Sequence, residues 1–113
     1  MPVPPFAIVE HPADAGVACL SVRGEVDVES AEELQGVVAR AARRPGVRNV
    51  VLDLRAVTFL DAMGVASLVR AALDAADRGV RLRTEGAGGI VRRVLEITGV
   101  SDWLDAASVG RRF

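Results

Sequence analysis

Hydrophobic and polar positions change period several times along the chain, and each change marks an element. Val17-Ala18-Cys19-Leu20-Ser21-Val22-Arg23 is mostly apolar and then alternates, the period-two pattern of a strand, and Gly24 is expected to close it. From Ser30 the period becomes helical, with Ala31, Leu34, Val37, Val38 and Ala41 on one face. Glu32 and Glu33 come early in this helix and Arg40, Arg43 and Arg44 late, which complements the dipole at both ends, and Pro45-Gly46 stops it. Val50-Val51-Leu52-Asp53-Leu54 is apolar on both faces apart from Asp53 and predicts a central strand covered by helices. A second helix is predicted from near Asp61 to Arg78-Gly79. Its core stripe reads as Val65, Leu68, Val69, Ala72, Leu73 and Ala76, with Met63, Ser67, Arg70 and Asp74 on the other side. Val80 to Thr84 supplies another strand. Gly86-Ala87-Gly88-Gly89 then turns the chain into a third helix carrying Ile90, Val91, Val94, Leu95 and Ile97, capped by Gly99.

The ends are less regular. Pro2, Pro4, Pro5 and Pro12 limit Phe6 to Glu10 to a short edge strand before a turn near His11 to Gly16. Trp103-Leu104 predicts a last short edge element, and Gly110 to Phe113 is expected to fray. Strands and helices alternate with short connections, so the class is α/β, with a mixed, largely parallel sheet and right-handed crossovers.

Composition narrows the function classes. The 113 residues, half of them hydrophobic, suit one domain over 1–113, and a chain of this size buries roughly two-thirds of its surface without staples. Cys19 is the only cysteine and has no internal partner for a disulfide. All 14 cationic residues are Arg, yet a net charge of -1 gives no basic field, and with 4% aromatics and no Tyr there is little on which bases could stack; nucleic-acid binding is not expected. The proline-rich start lacks the pattern of a secretory signal, and charges interrupt every apolar run before about 18 residues, so a cytoplasmic protein without membrane insertion is expected.

Catalysis would need a nucleophile and a base within reach of each other, and His11 and Cys19 are poor material for it. His11 falls in the proline-rich entry, where an idle surface residue is expected, and Cys19 falls mid-strand, where a buried thiol acts as a small hydrophobe. Glu32, Glu33, Asp74 and Asp77 fit solvated helix faces; no metal-ligand spacing and no cofactor motif emerges. The Gly86 to Gly89 turn stands where phosphate-binding loops stand, but Val91 replaces the third glycine of the dinucleotide pattern, and a tight turn is the simpler reading. More informative is Thr58-Phe59-Leu60-Asp61-Ala62-Met63-Gly64-Val65, where a buried strand leads directly into an amphipathic helix. Asp61 is placed to cap that helix, and the amides of Ala62 to Gly64 could equally seat an anion.

Four segments in order carry a resemblance: Gly24-Glu25-Val26-Asp27, Val50 to Leu54, Phe59 to Val65, and Val91-Arg92-Arg93-Val94-Leu95-Glu96-Ile97-Thr98-Gly99-Val100. Together they resemble the STAS domain of bacterial anti-sigma factor antagonists over about residues 8 to 107. The resemblance implies a four- or five-stranded sheet with helices mainly on one side. It also implies a non-catalytic function: binding a serine-kinase anti-sigma factor, freeing the sigma factor, and being switched off by phosphorylation of a Ser at the start of the second helix. The family motif there is Asp-Ser-Ser/Thr-Gly, whereas this chain has Asp61-Ala62-Met63-Gly64. Ala62 carries no acceptor hydroxyl, while Asp27 and Asp61 match the acidic positions around it.

Three readings stay open on the sequence: an antagonist that cannot be switched off, a STAS subunit whose partner is not a kinase, or regulation at another hydroxyl such as Thr58 or Ser67. The expected contact surface is the Gly24 to Ser30 loop, including Asp27, with Asp61, Ala62, Met63, Gly64, Ser67 and Arg70. The alternative function is a cytoplasmic accessory subunit of a membrane transporter, with a transporter ATPase as partner. An enzyme or nucleotide-binding protein built on Gly86 to Gly89 is the third.

Overall fold

The computed structural model of the chain describes residues 5–100 and Leu104. Its order is β1 (Ala7–Glu10), β2 (Val17–Val26), α1 (Val28–Ala42), β3 (Asn49–Leu60), α2 (Ala62–Asp77), β4 (Arg81–Glu85) and α3 (Gly89–Ile97). The four strands form one sheet in the order β1-β2-β3-β4; β1 runs antiparallel to β2, while β2, β3 and β4 are mutually parallel. This is the mixed α/β sheet expected from the alternation of elements.

One face of the sheet carries Ala18, Leu20 and Val22 of β2 and Val50, Leu52 and Leu54 of β3. Leu34, Val37, Val38 and Ala41 of α1, Leu68, Ala71 and Ala75 of α2, and Val91 and Leu95 of α3 join the same cluster. Each fully buried Leu or Val in it contributes about 1.5–3 kcal/mol relative to exposure. The alternate residues of β2 and β3, Cys19, Ser21 and Asp53, are half-buried on the opposite face, and Arg81, Arg83 and Glu85 of β4 are exposed there. Cys19 is therefore half-buried on the face away from the helix-covered core, where the sequence reading expected a buried thiol; burial pushes its thiol pKa up and Asp53 and Glu85 add to the shift. A strand turns alternate residues to alternate faces, so apolar neighbours along the chain do not fix which face a residue takes.

Both long strands outrun their expected limits. Gly24 does not end β2. With a φ of +92° it allows the entry segment to cross closely, since a Cβ there would lie 2.9 Å from Phe6 Cα. The β2–β3 register shifts between Ser21 and Arg23 and again between Gly24 and Glu25, and these bulges carry the pairing on to Val26↔Leu60. At the other end, the chain reverses at Asp14–Val17 through Ala15 and Gly16, both with positive φ. Leu104 is helical and buried in the same cluster as Val100 rather than part of an edge strand. Trp103 and the expected fray at Gly110 to Phe113 lie outside the described residues.

Helix α2 is turned roughly a quarter-turn from its expected seating. Gly64, Val65, Ser67, Leu68, Ala71, Ala72 and Ala75 are buried. Val69 and Ala76 are only half-buried, and Leu73 is 51% exposed. The expected stripe followed the large apolar residues. The helix instead presents its small ones inward, where Gly, Ser and Ala allow close approach to the sheet and to α1, its main helical neighbour.

Candidate functional site: the carboxyl end of the parallel strands

Val26 and Leu60 are paired neighbours at the ends of β2 and β3, and the next residue of each strand, Asp27 and Asp61, caps the helix that follows. Two helices thus start side by side. At α1, Asp27 Oδ1 accepts from the Glu29 amide at 3.0 Å and the Ser30 amide at 3.3 Å. Ser30 Oγ in turn accepts from the Asp27 amide at 2.9 Å and donates to the Glu25 carbonyl at 2.9 Å. This reciprocal arrangement is why α1 begins at Val28, two residues before the expected start. Ser30 is the third residue of the helix and buried, not its opening residue. The Asp27-x-x-Ser30 spacing was the available signal.

At α2, Asp61 Oδ1 accepts from the Gly64 amide at 2.8 Å, and the Asp61 amide donates to the Val26 carbonyl at 3.3 Å. The seat read from sequence as a place for an anion is thus partly taken by the protein's own carboxylate. Gly64 is buried, with no room for a side chain: an added Cβ would collide with the Val26 carbonyl oxygen and lie 2.6 Å from Leu60 Cδ1. Ser67 is 1% exposed and donates to the Gly64 carbonyl at 2.6 Å. Two expected contact residues, Gly64 and Ser67, are therefore packing residues that hold α2 against the end of β2, because the small side of the helix faces inward. Asp27 and Asp61 are half-buried caps. Ala62, Met63 and Arg70 are exposed, as expected.

Three large apolar side chains are exposed at this end of the fold: Val28 at 62%, Met63 at 51% and Phe59 at 42%. The sequence reading singled out only Met63. Phe59 was hidden inside an apolar run, and Val28 precedes the expected helix start. Ala62 and Ala66 extend the exposed apolar surface along α2, while Glu25, Asp27, Glu29 and Asp61 supply carboxylates around it. Exposed large apolar side chains together with charged ones are the kind of residues that protein docking uses. Among the described residues no group of three or more His, Cys, Asp or Glu side chains could hold a metal. His11 Nε2 lies 2.8 Å from Ser21 Oγ on the exposed surface near the opposite end of β2. Gly86 has a φ of +74°, the left-handed region that favours glycine, which accords with the tight turn read from the sequence.

The family model for the STAS domain matches residues 9–110. The chain belongs to the STAS domain family. Among solved structures, an anti-sigma factor antagonist from Mycobacterium paratuberculosis superposes on this STAS domain with a TM-score of 0.73 at 24% identity, covering 87% of this chain and 81% of that one. The anti-sigma factor antagonist SpoIIAA in its unphosphorylated form gives a TM-score of 0.69 at 18% identity, covering 86% of this chain and 84% of that one. The phosphorylated form of SpoIIAA, a Bacillus cell fate determinant, gives 0.62 at 17% identity, covering 86% and 87%. A sulfate transporter family protein from Wolinella succinogenes gives 0.70 at 22% identity, covering 83% and 75%. At these identities the likeness concerns the fold, which this STAS domain shares with antagonists and transporter domains alike. Among the described residues no helix is long and apolar enough to cross a membrane.

Proposed function

We propose that this STAS domain is a non-catalytic, cytoplasmic protein-binding regulator that docks an anti-sigma factor of the serine-kinase type and so releases a sigma factor. The observation that carries the reading is the exposure of three large apolar side chains, Val28, Phe59 and Met63, at the end of the fold where the two helices start, with Asp27 and Asp61 capping those helices. A polarizable, flexible Met in the first turn of α2 suits an adaptable interface, and Arg70, two turns along the exposed face of α2, supplies a charge for orientation. Asp27 and Asp61 act through the backbone, fixing the two helix starts that present these side chains. Ala62 offers no oxygen for phosphorylation, so the docking surface is not switched at that position.

The comparably close match to a sulfate transporter family protein favours a second reading, a cytoplasmic accessory STAS subunit whose partner belongs to a transporter, such as its ATPase. Co-purification from the source cells distinguishes the two. An anti-sigma kinase recovered with the wild type and lost with Met63→Glu supports the first. A transporter component recovered in its place overturns it.

A further inference from the structure

We infer that β1 is exchanged between two copies of this chain, giving a dimer in which the Ala7–Glu10 strand of each copy completes the sheet of the other. The inference uses none of the docking residues and stands apart from the function proposed above.

The reversal between β1 and β2 is where sequence and backbone disagree. Among the described residues Ala15 is the only one other than glycine with a positive φ, +52°, and Gly16 follows at +81°. Around them the Asp14 amide donates to the Val17 carbonyl at 3.0 Å and the Val17 amide to the Asp14 carbonyl at 2.9 Å. This is the two-residue hairpin turn with positive φ at both central positions, which prefers Asn-Gly. Alanine is strained there because its Cβ crowds the following carbonyl, and extending the chain through Ala15 relieves that strain. Pro12 disfavours the helical region for His11, so residues 11–16 are disposed to open into a straight hinge. Short loops under strain favour exchange of the element they carry.

β1 is the element such a hinge releases. Its strand pairing is with β2 alone, over the four pairs from Ala7↔Arg23 to Glu10↔Leu20. The other ties of this segment are made by side chains. Glu10 meets Arg44 at 2.7 Å and Arg40 at 3.8 Å, His11 Nε2 lies 2.8 Å from Ser21 Oγ, and Phe6 and Ile8 pack half-buried against the core. The close crossing of Phe6 over Gly24 completes the seat. A second copy is the occupant this seat fits, because its β1 is identical: every one of these contacts re-forms across the dimer, and only the hinge changes.

The hinge lies at the amino end of β2, and the paired helix starts lie at its carboxyl end. The exchanged dimer therefore joins two copies by their amino ends and leaves the docking end of each remote from the junction.

The test refolds the full chain at low and at high protein concentration and measures its mass by light scattering after size exclusion. The expected result is a dimer that forms at high concentration. Ala15→Asn, which supplies the residue the turn prefers, should lower the dimer's association constant about tenfold, and Ala15→Val, which resists positive φ, should raise it. Exchange is told from other dimers by refolding an equal mixture of Ala7→Cys and Arg23→Cys chains, each also carrying Cys19→Ser. Ala7 and Arg23 are paired neighbours, so oxidation should join the two kinds of chain by a disulfide in the dimer and not in the monomer. A chain that stays monomeric after refolding at high concentration overturns the inference. A dimer without that disulfide overturns it too, as does a dimer equally populated in Ala15→Asn and Ala15→Val.

Discussion

The two faces of α2 are built from different kinds of residue and do opposite work. The inward face uses Gly64, Ser67, Ala71 and Ala75 beside Leu68, while the outward face carries Ala62, Met63, Ala66, Arg70 and Leu73. Large apolar residues thus occur on both sides, and the small residues are concentrated on the buried one. Closeness, rather than size, decides the seating of this helix: a glycine or alanine that lets two backbones approach places more atoms in dispersion contact than a leucine that holds them apart. The outward apolar residues are then free for a partner.

That contrast can be broken at graded positions. The largest expected effect is at Leu68, 1% exposed, where Leu68→Ala should destabilise by about 2–5 kcal/mol in chemical denaturation. A loss below about 0.5 kcal/mol would put the buried face elsewhere. Gly64→Ala should come next: the added Cβ meets the Val26 carbonyl and Leu60, and overpacking of this kind costs about 1–3 kcal/mol, although Ala is the better helix former. Stabilisation by this change would show that α2 does not approach β2 so closely. Asp61→Ala removes the acceptor for the Gly64 amide and should cost about 0.5–2 kcal/mol, read from the melting temperature. Leu73→Ala should stay within about 0.5 kcal/mol of wild type, because the side chain already faces solvent; a core-sized loss would restore the stripe expected from sequence.

On the opposite face of the sheet, burial and the carboxylates of Asp53 and Glu85 raise the Cys19 pKa, so the thiol stays protonated to higher pH than in free cysteine. Its alkylation rate should therefore still climb above the pH at which that of free cysteine levels off. A plateau at or below the pH of free cysteine would contradict that environment.

The alternation of strands and helices was legible because each element has its own hydrophobic period, and α1 was read with its buried face right at Leu34, Val37 and Val38. The Asp61 cap was legible for a local reason, a carboxylate immediately before an amphipathic run. The seating of α2 was not, because hydrophobicity ranks Leu73 above Ala71 and does not record how near two backbones come. The length of β3 was missed because its second half keeps pairing through bulges, which no residue type announces. Of the candidate contact residues, Met63 and Arg70 were rightly placed outside, while Ser67 and Gly64 fell to the rotation of the helix.

The proposed docking surface is tested most directly through Met63. The chain holds two methionines, Met1 and Met63, so a sample labelled at the methionine methyls gives Met63 one of two resonances, identified by its loss in Met63→Leu. Titration with the anti-sigma kinase should shift or broaden the Met63 methyl signal in step with complex formation, and Met63→Glu should weaken binding at least about tenfold without lowering the melting temperature. A saturated complex in which the Met63 methyl signal has not moved would contradict docking at the paired helix starts.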